Sequence, residues 1–399
     1  MSKVRVGMAG CGFSANLHIH GYKQLASELC QVVAICAVPR ADAEAFATKH
    51  GIPHVYDGFE EMLAEGNVDA VDLAVPNHLH APFTIKAAKA GKHVFCEKPL
   101  TGFFGDPNTP DDEPIGRTVP KRAMLARVIQ ECEQLQEAIE VSGIKFGYAE
   151  NWVYAPPFVK LCRLADAAGG TILRIEAEES HSGSHAEYAK RWRTAGGGSL
   201  MVKGSHPLGA ALQLKHWEGE KKFGKPIRPA SVFCEVAKLT GTEAFEKEEK
   251  HYLRTGWQDV EDWGIIVVKF DDGSVAEVRA ADITLGGVHN YLEAYLSNAR
   301  LRANINPNDA CVAYAPETHI FEPEYIVEKI ETKAGWSFPS PDEDWMQGYP
   351  QEVADFARAI AEDRAPVSGF RLARDVAVVL YAAYVSAEEG TRFELGEVL

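Results

Sequence analysis

Lys3-Val4-Arg5-Val6-Gly7-Met8-Ala9, followed at once by Gly10-Cys11-Gly12-Phe13-Ser14-Ala15, decides the reading of the first part of the chain. The first seven residues are valine-rich and bounded by glycine, the pattern of a short buried strand. The next six spell G-x-G-x-x-A and open a helix that the pattern carries to about Leu29. A glycine pair placed after a strand and before a helix is a dinucleotide-binding fingerprint. The glycines let the backbone approach a pyrophosphate, and the helix N-terminus offers free N–H groups and the positive end of its dipole. Gly10, Gly12, Phe13, Ser14 and Ala15 are therefore candidate cofactor-binding residues.

The following residues repeat the unit. An apolar run at 32–38 reads as a second strand, 41–50 as a helix, 69–75 as a strand and 81–90 as a helix. Residues 93–96 form a further strand that ends in Glu97-Lys98-Pro99. Repeated βα units of this length predict a doubly wound parallel sheet of the Rossmann kind. The acid that normally ends the second strand and grips the adenosine ribose is missing, because Ala37 is followed by Val38, Pro39 and Arg40. Arg40 is a candidate to stack on adenine or to pair with a 2′-phosphate. NAD is the expected cofactor, with NADP left open.

Beyond residue 102 the pattern changes. Residues 103–122 carry four prolines among acids and glycines and read as an irregular excursion, a lid or an oligomer arm, before a helix at about 123–141. Strands are expected at 171–179, 231–239, 263–270 and 274–280, with Asp271-Asp272-Gly273 as a hairpin turn. Helices are expected at 350–362 and 371–388.

Composition narrows the function. The chain has 399 residues, 46% hydrophobic and 25% charged, and a formal charge of −16 from 41 basic and 57 acidic residues. That balance argues against a nucleic-acid partner, which needs excess Lys and Arg, but leaves room for an anionic small substrate. No apolar run approaches the roughly 18 residues of a membrane helix. Eight scattered cysteines without a CxxC pair fit reduced thiols and a cytoplasmic location.

The stretch Val75-Pro76-Asn77-His78-Leu79-His80 and the run Ala90–Gly102 around Glu97-Lys98-Pro99 resemble the Gfo/Idh/MocA oxidoreductases. The resemblance resumes at Ala149-Glu150-Asn151-Trp152, at Gly196-Gly197-Gly198, and at Gly348-Tyr349-Pro350 with Glu352. It implies a Rossmann domain over 1–148, with 103–122 as an insertion, and a second α+β domain over 149–399. That domain would carry a large open, mostly antiparallel sheet, with one face over the nicotinamide and an outer apolar face for a homodimer or homotetramer. Pro76, Asn77, His80 and Glu97 are then further cofactor contacts. Lys98 is the residue that hydrogen-bonds the substrate hydroxyl destined to become a carbonyl.

The segment Gly196–Ala210 departs from the family. Most relatives carry GGG-x-x-x-D-x-G-x-H, an Asp and a His four apart on one helical face. Here Val202 stands in the Asp position, His206 keeps the His position, and Lys203 adjoins the lost acid. His206 is a candidate general acid/base and Lys203 a base or a cationic anchor. His181, His185, Arg191 and Arg193 are candidate substrate-binding residues; the arginines, with Lys203, suit a carboxylate, phosphate or sulfonate. Ser182-Gly183-Ser184 between the histidines breaks a helix, so no metal site is assigned. Asn151 and Tyr154 fall where the family places sugar contacts, and Trp257–Trp263 offers aromatic platforms. Three functions follow from the resemblance: a sugar or cyclitol dehydrogenase acting at a ring carbon, C3 in this reading; a redox-neutral NAD-dependent glycosidase, with an anionic glycoside such as a sulfoquinovoside as a candidate substrate; and a non-catalytic dinucleotide sensor. Retention of Lys98 and His206 argues against the third.

Overall fold

The computed structural model describes residues 3–396, 398 and 399. β1 (Val4–Ala9), α1 (Phe13–Leu25), β2 (Cys30–Cys36), α2 (Arg40–His50), β3 (His54–Tyr56), α3 (Phe59–Glu65), β4 (Ala70–Leu73), α4 (His80–Lys89) and β5 (His93–Glu97) alternate in the first hundred residues. The short α5 (Ile115–Thr118) and the long α6 (Lys121–Ser142) precede β6 (Phe146–Ala149). Then come α7 (Pro156–Ala168), β7 (Ile172–Ser180), α8 (Trp192–Ala195), α9 (Ser199–Val202), α10 (Ser205–Phe223), β8 (Pro229–Ala237) and α11 (Glu243–Glu246). β9 (Trp263–Phe270), β10 (Val275–Ala281), β11 (His289–Leu296), β12 (Arg300–Asn306), β13 (Ala313–Ala315) and β14 (Gly335–Ser337) follow. The chain closes with α12 (Glu343–Gln347), α13 (Tyr349–Ala361), α14 (Phe370–Glu389) and β15 (Phe393–Glu394).

Two compact units result. The first holds residues 1–102, 127–154 and 348–377, and the second holds 103–126, 155–347 and 378–399. The division at 148/149 is thus corrected: the excursion after residue 102 packs with the second unit, whereas 149–154 and 348–377 pack with the first. The reason for the last exchange is visible in α13, which lies against α1. A Cβ at Gly21 would sit 3.1 Å from the Pro350 Cα, so only glycine admits this approach without displacement.

In the first unit six parallel strands run in the order β3-β2-β1-β4-β5-β6. The order reverses between β1 and β4, which opens the crevice where such sheets bind ligands. Met8, Ile19, Ile35, Phe46, Phe95, Val353 and Phe356 form the core. Each large side chain so buried contributes about 1.5–3 kcal/mol. Gly147 on β6 leaves the space in which Phe356 stacks on Phe95 at 5.1 Å between centroids.

The second unit is built on a seven-stranded sheet, order β12-β11-β7-β10-β9-β8-β15, antiparallel except for the β7/β10 pair. One face is covered by α10. The other differs from the apolar surface expected. Register aligns Phe233, Val267, Glu277, Glu176, Glu293 and Arg302 across six strands, and Arg174 pairs with Glu277 at 2.9 Å while Arg302 pairs with Glu293 at 3.0 Å. Aliphatic residues on this face gather toward β8–β9, while Tyr291 and Tyr295 on β11 lie under Arg302 and Arg174. Polar ladders satisfy themselves across strands, which is why alternation alone did not distinguish this face.

Candidate active site

In the first unit the fingerprint forms as its sequence requires. The Gly10 amide donates to the Cys36 carbonyl at 2.8 Å, with φ at 99°, and a Cβ there would collide with the Ala74 carbonyl oxygen at 2.0 Å. Gly12, by contrast, faces open space, since nothing lies within 4 Å of where its Cβ would be. It is the N-cap of α1 and supplies no side-chain cap, leaving the first helical N–H groups directed outward. Ala15 is fully buried beneath the turn, Ser14 is half-buried and Phe13 is exposed. A backbone cradle with a bare helix N-terminus suits a pyrophosphate. Arg40 begins α2, but its guanidinium is bound by Glu44 at 2.8 Å and by Asp57. Its charge is thus met by two exposed carboxylates.

Lys98 follows β5 at the carboxyl edge of the sheet. Its amide donates to Glu97 Oε2 at 2.9 Å, and Glu97 Oε1 lies 3.3 Å from His18 Nε2. Burial pushes the Glu97 carboxyl up, but His18, ahead of Lys98 and His80, draws it below the usual carboxylate range. His80 takes a different part from the cofactor contact expected of it. Its Nδ1 lies 2.6 Å from the Pro99 carbonyl and its Nε2 2.9 Å from the Val75 carbonyl, so the ring clasps the loops after β4 and β5 together. Burial lowers its pKa, and a neutral ring can donate to only one of these two carbonyls. Pro76 caps the short turn Asn77–Leu79 beside it.

In the second unit Gly196 ends α8 with φ at 84°, and Gly198 opens α9. A Cβ on Gly198 would meet Glu261 Oε2 at 2.4 Å. Glu261 holds the turn: it accepts from the Gly198 amide at 3.1 Å, the Leu200 amide at 3.0 Å and the Tyr384 hydroxyl at 2.8 Å. Burial pushes its carboxyl up to about 7 despite those donors. Two residues on from Leu200, Val202 is the site of the missing acid, and Lys203 solves a different problem. Its Nζ meets Asp282 Oδ1 at 2.6 Å, with both side chains 2% exposed. The same oxygen accepts the Ser184 amide at 3.1 Å, tying Lys203 to the loop that carries His181 and His185. His206 lies buried in the first turn of α10, with its amide bonded to the Lys203 carbonyl at 3.0 Å.

The other candidates divide. His181 is buried and its Nδ1 accepts the Gly183 amide at 3.0 Å; His185 is exposed and lies 2.7 Å from Arg254. Arg191 and Arg193 are drawn away from the role of anion anchors. Arg193 donates to the Thr109 carbonyl at 2.7 Å and the Pro110 carbonyl at 2.8 Å, and Arg191 to the Asp111 carbonyl. Together with Arg117 on the Gln258 carbonyl, Asp259 on the Gly116 amide and Tyr381 on the Phe103 amide, they fasten the 103–126 segment as a strap. Tyr154 is buried in the first unit, donating to Asp355 and accepting from the Ser368 amide, each at 2.9 Å, which makes it a structural link. Asn151 is buried in the adjoining turn. Trp257 is buried too, so the 257–263 run offers carboxylates where platforms were expected: Asp259, Glu261 and Asp262 each cap a different loop. Sequence reading missed Asp282, Glu261, His18 and Asp72. The alternating acids at 259, 261 and 262 were the one available signal. Among the described residues no group of three or more His, Cys, Asp or Glu could hold a metal ion, and no helix is long and apolar enough to cross a membrane.

A switch-point crevice, a glycine cradle and a lysine at the end of β5 define a dinucleotide-dependent oxidoreductase. Residues 4–106 match the model of the Gfo/Idh/MocA oxidoreductase family, described as an NAD-binding Rossmann fold. An uncharacterized oxidoreductase of Rhizobium meliloti is 37% identical over 223 residues, covering 56% of this chain and 59% of that protein. Levoglucosan dehydrogenase of Pseudarthrobacter phenanthrenivorans is 24% identical with the whole of both chains covered. The structure of GenD2 from gentamicin A biosynthesis in complex with NAD superposes with a TM-score of 0.78 at 23% identity, covering 99% of this chain and 97% of that one, which supports the fold.

Proposed function

We propose that this protein is an NAD(P)-dependent sugar oxidoreductase that moves a hydride between the nicotinamide and a ring carbon, C3, of a sugar or glycoside. The observation that carries the reading is Lys98, held at the carboxyl end of β5 by the bond from its amide to Glu97. The backbone of Gly10–Ala15 would hold the pyrophosphate. The bound nicotinamide supplies or accepts the hydride. Lys98 then holds or moves the proton at the substrate hydroxyl oxygen, and His206 with Lys203 serves as the second unit's proton-transfer set. The relative named for levoglucosan, whole-chain in its match, supports a carbohydrate substrate. We assign the chain to the cytoplasm, in line with its free thiols, and to a homodimer or homotetramer formed through the outer face of the large sheet.

A second reading rests on the Lys203–Asp282 pair that stands where the family's acid is replaced by Val202. A redox-neutral NAD-dependent glycosidase needs a base for the C2 proton after transient C3 oxidation, and a lysine paired to an acid supplies a candidate. One experiment separates the two. Purified protein is incubated with NAD and a panel of neutral and anionic sugars and glycosides while the reduced-nicotinamide absorbance and the products are followed. Reduced cofactor in proportion to product establishes the dehydrogenase. Aglycone release without net reduction establishes the glycosidase, and cofactor binding with neither outcome returns the reading to a sensor.

A further inference from the structure

Beneath Glu97 the first unit buries one imidazole among three carboxylates. His18 Nδ1, on α1, lies 2.9 and 3.0 Å from the two oxygens of Asp72 on β4. Its Nε2 lies 3.3 Å from Glu97 Oε1 on β5 and 3.7 Å from Glu352 Oε1 on α13. His18, Asp72 and Glu352 are sealed from solvent, Phe95 closes the imidazole at 5.1 Å, and the buried hydroxyl of Tyr22 adjoins Asp72. Neither oxygen of Glu352 has a hydrogen-bond partner among the described residues. Such a centre is costly to assemble, and an apolar core would be simpler.

The charges decide its state. Three ionised carboxylates around a single cation would leave the interior strongly negative, and Glu352 is the member that gives way. Burial holds its carboxyl well above the ordinary range, with Glu97 and Asp72 adding to the effect and His18 opposing it. Each ring nitrogen of His18 then faces an ionised carboxylate. Burial alone would lower the imidazole, but Asp72 and Glu97 raise it well above its usual value. Asp72, in mid-strand, finds its side-chain partner in that ring. The result is a chain of contacts from Asp72 through His18, whose Nε2 meets Glu97 at ion-pair distance, 3.3 Å, without a hydrogen bond, to the Lys98 amide.

We infer that His18 is a positioning residue for Lys98: an imidazolium charged by Asp72 that orients the Glu97 carboxylate onto the amide of the residue that handles the substrate hydroxyl. This rests on the role proposed for Lys98. Without the cation, burial governs Glu97, which takes up a proton at higher pH; a protonated oxygen no longer accepts the Lys98 amide in the same way. Groups facing the pair are Asp72, Glu352 and Tyr22 around His18, and Lys98, His80, Cys96 and Tyr148 around Glu97.

The test uses the full chain with NAD and whichever sugar it oxidises fastest, with kcat followed from about pH 5 to 9. His18→Gln should move the acid limb of kcat upward by about one pH unit and lower kcat near pH 6 by about tenfold, with the Kd for NAD within about twofold of wild type. Asp72→Asn should shift the limb in the same direction. A packing role alone would leave the limb in place. Ring 15N signals of the wild type should report both His18 nitrogens still protonated well above the ordinary histidine value of about 6.5, and Asp72→Asn should bring that titration down toward it. An unmoved acid limb in a folded His18→Gln protein, or a His18 ring that titrates as an ordinary histidine, overturns the proposal. If the wild type oxidises no sugar, the functional reading fails separately, and the ring titration decides the charge on His18 by itself.

Discussion

The two units bury their acids to opposite ends. In the nucleotide-binding unit Asp72, Glu97 and Glu352 gather round the side chain of His18, and burial holds the Glu352 carboxyl well above its ordinary range. In the other unit Asp259, Glu261 and Asp262, drawn from four consecutive residues, turn to backbone N–H groups of different loops. A carboxylate bonded to amides fixes the chain in place; one bonded to an ionisable ring creates a charge that can be moved. The first unit therefore gathers acids next to Lys98, whereas in the second Glu261 shapes the turn that presents Lys203 and His206 while Asp259 and Asp262 fix other loops. Loss of function should follow from mutating the first kind and loss of local order from mutating the second.

The largest effect should come from Lys98→Met. If Lys98 transfers the proton, nicotinamide reduction falls by about a thousandfold, while NAD binding, followed by quenching of tryptophan fluorescence, persists. Next is Lys203→Met, which strands Asp282 in a buried site and should cost about 3–5 kcal/mol in urea unfolding. The double variant Lys203→Met/Asp282→Asn should recover much of that loss. Equal losses in the single and double variants would show that the pair contributes nothing as a pair.

These predictions also mark where the sequence was readable. The glycine fingerprint and the βα periodicity are local signals, and strands β1, β2, β4 and β5 and the place of Lys98 followed from them. β9 and β10 were legible because alternation and the Asp-Asp-Gly turn lie side by side. β11 and β12 were not, since His289–Leu296 mixes apolar and polar residues on both faces and its register shifts near Asn290 and Tyr295. Asp282 was hidden for another reason. Its partner lies 79 positions away and is fixed by sheet geometry, not by any spacing in the chain. The partners of Arg191 and Arg193 in the strap were not legible either, because backbone carbonyls have no signature in sequence.

Glu261 sharpens the comparison through pH. Its carboxyl, about 7 in the fold against 4.5 as its ordinary value, binds a proton more tightly when folded. Its contribution to stability is therefore full below about 4.5 and is lost as pH rises through about 7, by an upper limit of about 3 kcal/mol. Glu261→Gln should flatten that part of the stability profile, and an unchanged slope would reassign it to other groups. A smaller change is expected from Arg193→Ala, which removes two bonds to the strap. A loss of about 1–2 kcal/mol, with faster proteolytic cleavage inside 103–122, would support the strap; an unchanged cleavage pattern would leave the other fastenings sufficient.

The smallest effect belongs to the cofactor pocket. Arg40 stands just after β2, where the 2′-position of the adenosine ribose is read, and Glu44 and Asp57 together outweigh its charge. A 2′-phosphate would have to displace a carboxylate and then sit beside it. NAD should therefore be the better cofactor. Exposed pairs of this kind are worth about 0–1 kcal/mol each, so Asp57→Asn should release the guanidinium at little cost in stability. The expected outcome is a rise of about three- to fivefold in kcat/KM with NADP and little change with NAD, since one good charge-assisted bond is partly offset by the remaining Glu44. A fall with both cofactors would mean that Asp57 supports the ribose itself, and the preference would then lie in the carboxylate and not in the arginine it restrains.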